Sequence, residues 1–113
     1  MDKPALRVVI ADDEPITRMD IKEILEEKGY EVIGEAADGF DAVELCKAKK
    51  PELVLMDIKM PLLDGLSAAR IMMEEDVDAA IVLLTAYSER EFIDSAKDLG
   101  VSGYLVKPID EKS

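Results

Sequence analysis

The chain has 113 residues, with 26 acidic and 14 basic side chains, a formal net charge of −12, one cysteine and no histidine. This length suits one compact domain, and 49% hydrophobic with 35% charged residues is a globular balance that argues against disorder. The negative charge argues against nucleic-acid binding by this chain itself, because phosphate contacts need clustered Lys and Arg.

Membrane, disulfide and zinc functions are also disfavoured. The longest uninterrupted apolar run covers residues 79–84, far below the ~20 residues that cross a bilayer, and the amino terminus has no apolar signal-peptide core. We therefore expect a cytoplasmic protein without a membrane partner. A lone Cys46 cannot form an internal disulfide, and the usual zinc ligand sets need histidine or several cysteines.

The first half of the chain alternates strand and helix patterns. A strand is predicted over residues 6–11, followed by a helix that begins near Pro15 and ends at Gly29. A weaker strand is predicted over residues 31–36, and a helix follows it through about Lys49.

The alternation continues with a buried strand. Residues 53–56 are continuously apolar, as in parallel strands covered on both faces, and Asp57 closes the run. A helix is predicted over residues 66–75, and an apolar strand over residues 80–85.

The last predicted helix runs from an N-cap at Ser88 to Gly100, and a short strand covers residues 103–106. Five strands with four intervening helices predict an α/β domain over residues 1–113, with right-handed crossovers, a parallel sheet and helices on both faces. Residues 109–113 resemble the entry to a fifth helix. We therefore expect that helix to be missing or truncated, either because the chain is a fragment or because a partner chain covers the sheet.

Charged and polar residues stand where these strands end. They are Asp12, Asp13, Glu14, Asp57, Thr85 and Lys107. Ligands of open parallel sheets bind beyond the carboxyl ends of the strands, so these side chains are predicted to form a site. Clustered carboxylates without His or Cys favour Mg²⁺ or Mn²⁺. The alternative is structural, with Asp12 and Asp13 capping the first helix and Asp57 starting a turn.

The two remaining side chains suggest phosphoryl chemistry. A carboxylate beside a divalent cation can attack a phosphoryl group, because the cation offsets the repulsion between the two anions. The hydroxyl of Thr85 and the ammonium of Lys107 could then hold the phosphoryl oxygens.

At these positions the sequence resembles the receiver domain of two-component response regulators. The similarity is carried by residues 9–14 (VIADDE), 55–61 (LMDIKMP), 64–65 (DG), 84–86 (LTA) and 104–108 (YLVKP). Each segment alone is weak evidence, but five in the same order are specific. The resemblance implies a flavodoxin-like, doubly wound five-stranded parallel sheet with strand order 2-1-3-4-5.

The resemblance also implies a role for each site residue. Asp57 would accept the phosphoryl group in a Mg²⁺-dependent reaction, and Thr85 and Lys107 would contact that group. The implied Mg²⁺ ligands are Asp12, Asp13, Asp57 and the carbonyl of Lys59. Thr85 and Tyr104 would form the switch that alters the face of the fourth helix and fifth strand, although ordinary packing is an equal alternative for Tyr104.

Receivers take the phosphoryl group from a phosphohistidine, which this chain cannot supply, so a sensor histidine kinase is the expected partner. The chain would catalyse only its own phosphorylation and dephosphorylation, so we do not expect it to be an enzyme; a homodimer is left open.

Lys59 and Tyr87 match positions that border the approach of the attacking water. We predict that they shield the phosphoryl group and slow its hydrolysis.

The segments at residues 13–18 and 84–88 look most like receivers of antiterminator (ANTAR-type) regulators, whose output domain binds RNA. A DNA-binding output is less favoured.

Three rival interpretations remain: a flavodoxin-like flavin carrier, disfavoured because carboxylates would repel the cofactor phosphate; a Mg²⁺-dependent aspartyl phosphatase; and a pseudo-receiver that is never phosphorylated.

Overall fold

The computed structural model describes residues 5–86 and 91–107. These residues form one sheet of five parallel strands in the order β2-β1-β3-β4-β5. The strands are β1 (Arg7–Ala11), β2 (Glu31–Ala36), β3 (Leu53–Asp57), β4 (Ala80–Thr85) and β5 (Gly103–Val106). The predicted strand order is confirmed, and the predicted strand boundaries agree to within one residue.

Within residues 5–86 and 91–107, four helices connect the strands. They are α1 (Pro15–Glu27), α2 (Gly39–Lys49), α3 (Gly65–Glu74) and α4 (Phe92–Leu99). The carboxylates of Asp38 and Asp64 cap α2 and α3, accepting hydrogen bonds from the backbone N–H groups of Asp41 (2.9 Å) and Ser67 (2.8 Å). The helix start predicted at Ser88 lies outside the described residues.

The helices bury two hydrophobic clusters, one on each face of the sheet. Ala42, Ala68, Met72 and Ala96, from α2, α3 and α4, pack with Met56 on one face. The opposite face carries α1, whose Ile21 and Leu25 pack with Ile10, Leu55 and Leu84. The sheet therefore has helices on both faces, as the alternation of patterns predicts.

An apolar groove of about 360 Å³ runs between α1 and β5, and its lining includes Leu25, Leu55 and Leu105. The expectation of a missing fifth helix concerns residues 109–113, which lie outside the described part of the chain. In the described part, no helix is long and apolar enough to cross a membrane.

Candidate functional site

Three aspartates meet at the carboxyl ends of β1 and β3. Each of Asp12, Asp13 and Asp57 offers a carboxylate oxygen, and these three oxygens lie within 4.8 Å of one another. Asp12 is fully buried and Asp57 is 4% exposed, whereas Asp13 is exposed. The arrangement is an acidic pocket with two buried carboxylates and a third at its mouth.

Lys107 contacts both buried carboxylates of this pocket. Its Nζ lies 3.3 Å from Oδ2 of Asp12 and 3.1 Å from Oδ2 of Asp57. Burial alone would lower the pKa of the ammonium, but the hydrogen bond and charge of Asp57, together with Asp12, outweigh it and raise the pKa above its usual value. Lys107 therefore stays protonated between the two buried carboxylates.

Thr85 ends β4 beside the pocket and is completely buried. Its hydroxyl donates to the carbonyl of Ala86 at 3.1 Å, and its own carbonyl accepts from the backbone N–H of Lys107 at 2.8 Å. Tyr104 on β5 pairs with Leu83, two residues before Thr85, so both side chains project from the same face of the sheet. Tyr104 is 39% exposed, so its side chain is accessible to solvent.

The loop after β1 holds Asp12 through several hydrogen bonds. The backbone N–H of Asp12 donates to the carbonyl of Ala36 (3.0 Å), and its Oδ1 accepts from the N–H of Glu14 (2.9 Å). The N-cap of α1 is Glu14, and its side chain makes no capping bond. The cap of α1 is therefore neither Asp12 nor Asp13, and the capping part of that structural alternative was wrong.

One contact of this loop was missed by the sequence analysis. Nη1 of Arg18, on α1, donates to the carbonyl of Asp12 at 2.6 Å. In the sequence, Arg18 lies one turn into the predicted helix among other charged residues, a position typical of a solvent-exposed cation. The contact depends on how α1 packs beside β1, which the sequence pattern does not specify.

The loop after β3 leaves no room for a side chain at Gly65. Its backbone N–H donates to the carbonyl of Ile58 at 2.7 Å, and a Cβ atom there would overlap the carbonyl oxygen of Asp57. At Gly39, at the start of α2, a Cβ would likewise overlap the carbonyl of Leu63 in this loop. Close approach of two backbones therefore fixes the segment that carries Asp57.

Lys59 extends from the same loop toward α4. Its Nζ lies 5.8 Å from the centroid of the Phe92 ring, within reach of a cation–π interaction. Both side chains line a cleft of about 510 Å³ that also includes Asp13 and Asp64. Lys59 is thus placed at the edge of the pocket, whereas Tyr87 lies outside the described residues.

The donor set of the pocket suits a hard divalent cation. Asp12, Asp13 and Asp57 supply only oxygen atoms, and Mg²⁺ in proteins is commonly held by one or two carboxylates with water completing the shell. A cation would also reduce the repulsion among three clustered carboxylates. The residues present therefore fit Mg²⁺.

The profile of the response regulator receiver domain matches residues 8–113. The chain belongs to this family. The receiver domain is 52% identical over 102 residues to the transcriptional regulatory protein PdtaR of Mycobacterium tuberculosis, an alignment that covers 90% of this chain and 49% of PdtaR. It thus spans about half the length of that relative.

Solved structures agree with the fold of this receiver domain. The CheX–CheY–BeF₃–Mg²⁺ complex from Borrelia burgdorferi matches with a TM-score of 0.88 and 29% identity, covering 95% of this chain and 81% of that one. The receiver domain of the sensor histidine kinase PA1611 from Pseudomonas aeruginosa, with magnesium coordinated in its active-site cleft, matches with a TM-score of 0.84 and 28% identity, covering 96% and 89%. The predicted family and flavodoxin-like fold are confirmed.

Proposed function

We propose that this receiver domain is a phosphorylation-activated switch in which Asp57 accepts a phosphoryl group from a phosphohistidine of a partner kinase. The observation that carries the proposal is the placement of Asp57. Its carboxylate lies at the buried end of β3, within 4.8 Å of two further carboxylates and 3.1 Å from the Lys107 ammonium. Such a carboxylate is a fixed nucleophile with a cation beside it.

Phosphoryl transfer in this pocket is an exchange of one bond to phosphorus for another. A carboxylate oxygen of Asp57 bonds to phosphorus as the bond to the donor's ring nitrogen breaks, and the ring, protonated at its other nitrogen, leaves as neutral imidazole. Mg²⁺, when bound by Asp12, Asp13 and Asp57, would supply charge neutralisation for the approaching anion. The magnesium named for the PA1611 receiver and for the CheY complex supports this assignment.

The other residues of the pocket bind the transferred group. The Lys107 ammonium exchanges one carboxylate oxygen of Asp57 for a phosphoryl oxygen, a charge-assisted hydrogen bond. The Thr85 hydroxyl exchanges the Ala86 carbonyl for another phosphoryl oxygen. As Thr85 moves, the Tyr104 ring rotates into the space that Thr85 leaves and the α4–β5 face changes, which is a shift between two populated states.

We place the chain among cytoplasmic signalling proteins. We do not class it as an enzyme, because the phosphoryl group stays on the domain and no substrate is turned over. PdtaR is named a transcriptional regulatory protein, which supports transcription as the controlled process. We assign the output to a domain outside this chain, with RNA-binding antitermination favoured over DNA binding by the resemblance of residues 13–18 and 84–88 to antiterminator receivers.

The decisive experiment is incubation with acetyl phosphate and Mg²⁺ followed by intact mass measurement. We expect the wild type to gain the mass of one HPO₃ group, and the Asp57→Asn variant to gain none. Asp64→Asn is the matched control, because Asp64 is an exposed carboxylate that caps α3; it should be phosphorylated as the wild type is. A wild type that gains no mass would favour the pseudo-receiver, and continuous turnover of a generic phosphoester would favour the phosphatase.

A further inference from the structure

Arg18 connects three parts of the structure beside the acidic pocket: α1, the loop after β1, and β2. It lies on α1, its Nη1 donates to the carbonyl of Asp12 at 2.6 Å, and its Nε lies 3.3 Å from Oε1 of Glu35 on β2. The side chain is only 19% exposed. Lys22, one helical turn further along α1, approaches Oε2 of the same glutamate at 3.7 Å but, within the described part of the chain, makes no bond to Asp12.

These contacts fix the peptide groups on both sides of Asp12. Its N–H is held by the carbonyl of Ala36, its C=O by Arg18, and its Oδ1 by the N–H of Glu14. The remaining carboxylate oxygen, Oδ2, faces Lys107 and the pocket. The direction of that oxygen therefore depends on a peptide group that Arg18 holds.

We propose that Arg18 is a positioning residue for the Mg²⁺ site, acting through the backbone of Asp12 and steadied by Glu35. The inference rests on the proposed function, since it takes the acidic pocket as the metal site. Groups that hydrogen-bond a ligating side chain commonly change metal affinity by roughly 10- to 100-fold when they are lost. Arg18 bonds the peptide carbonyl of Asp12 rather than its carboxylate, so the lower end of that range is expected.

The sign of the effect separates positioning from simple electrostatics. A cation near a cation site opposes metal binding, so by Coulomb's law alone removal of the Arg18 charge should strengthen Mg²⁺ binding. Loss of a positioning contact should weaken it. The two explanations therefore predict opposite changes in the same dissociation constant.

The test is calorimetric titration of the unphosphorylated full chain with Mg²⁺, beside thermal unfolding of each variant. In Arg18→Met we expect binding weakened by on the order of 10-fold. Arg18→Lys keeps the charge but lacks the planar guanidinium that bonds the Asp12 carbonyl and the Glu35 carboxylate together. Its Mg²⁺ dissociation constant should therefore fall between those of the wild type and Arg18→Met. Lys22→Met is the matched control, since it removes a cation from the same helix and the same glutamate; its Mg²⁺ binding should be unchanged or slightly tighter.

Mg²⁺ binding in Arg18→Met as tight as in the wild type would overturn the proposal, whatever happened to its unfolding temperature. Equal weakening in Lys22→Met would do the same. If Arg18→Met does not fold, Arg18→Lys decides, and wild-type affinity in that variant refutes positioning. Failure of the proposed function looks different, because a wild type that binds Mg²⁺ but takes no phosphoryl group leaves this comparison of affinities intact.

Discussion

Asp13 is the exposed member of a cluster whose other two carboxylates are buried against Lys107. In the metal-free protein Lys107 bridges the two buried carboxylates and Asp13 adds a third charge beside them, so removal of that charge should relieve repulsion. We expect Asp13→Asn to raise the thermal unfolding midpoint without Mg²⁺ by a few degrees. The same change should nearly abolish stabilisation by Mg²⁺, which for a site at ~100 times its dissociation constant amounts to about 2.7 kcal/mol.

Asp64→Asn provides the control for this prediction. Asp64 is also an exposed carboxylate, but its oxygens accept from the N–H and hydroxyl of Ser67 at the start of α3. Because Asn caps helices about as well as Asp, its replacement should leave the unfolding midpoint close to that of the wild type and leave the Mg²⁺-induced rise unchanged. If both variants responded alike, the Asp13 effect would reflect net charge rather than the pocket.

The Lys59 side chain extends from the loop after β3 toward α4, and its ammonium lies 5.8 Å from the centroid of the Phe92 ring. We expect Lys59→Asn and Phe92→Leu both to shorten the half-life of the phosphorylated domain, since each frees the approach of water. An exposed cation–π contact contributes about 0.5–1 kcal/mol, which corresponds to roughly 2- to 5-fold faster hydrolysis. The measurement is decay of the phosphorylated mass after removal of the phosphodonor.

Lys97→Asn removes an exposed cation from the same helix as Phe92 and should leave the half-life unchanged. Unchanged decay in both Lys59→Asn and Phe92→Leu would refute the shielding role of this pair.

At the scale of the elements, two backbone segments lie in close contact at the junction of β3 and α3. Because a Cβ at Gly65 would overlap the carbonyl of Asp57, Gly65→Ala must displace the backbone that carries the phosphoacceptor. Overpacking of this kind costs about 1–3 kcal/mol of unfolding free energy. We expect that loss in a urea titration, together with slower phosphorylation by acetyl phosphate in the fraction that remains folded.

Gly103→Ala is the matched control at the element scale. Gly103 starts β5, and a Cβ there would have no neighbour within 4 Å, so both stability and phosphorylation rate should stay close to wild type. If Gly65→Ala matched Gly103→Ala in both stability and phosphorylation rate, the loop would have accommodated the added methyl group without displacing Asp57.

The elements themselves were largely predictable, because apolar runs and turn residues are local signals. Strands β2, β4 and β5 begin and end where the sequence predicts, and α3 begins one residue earlier, at Gly65, because Asp64 caps it. The contacts between elements were not predictable in this way. The hydrogen bond from Arg18 to Asp12 depends on packing distances that no residue pattern encodes. The same is true of the lack of space for a Cβ atom at Gly65.

At the scale of the whole molecule, the pocket was predictable from topology. Parallel strands end at one edge of a sheet, so the residues after β1, β3, β4 and β5 had to meet there. The sequence could not show that one ammonium, that of Lys107, bridges two of those carboxylates.

Cys46 reports on the stability of the whole domain, because it lies on α2 in the core and is 1% exposed. Burial raises the pKa of its thiol from 9.0 to about 12. Above about pH 9 the unfolded thiol loses its proton while the folded one keeps it, so the free energy of unfolding falls as pH rises. From about pH 8 to about pH 10 this amounts to about 1.4 kcal/mol. We expect the wild type to lose that much more stability in urea titrations over this interval than Cys46→Ala, whose other titrating groups are the same. Equal losses in the two proteins would show that the thiol is not protected by burial.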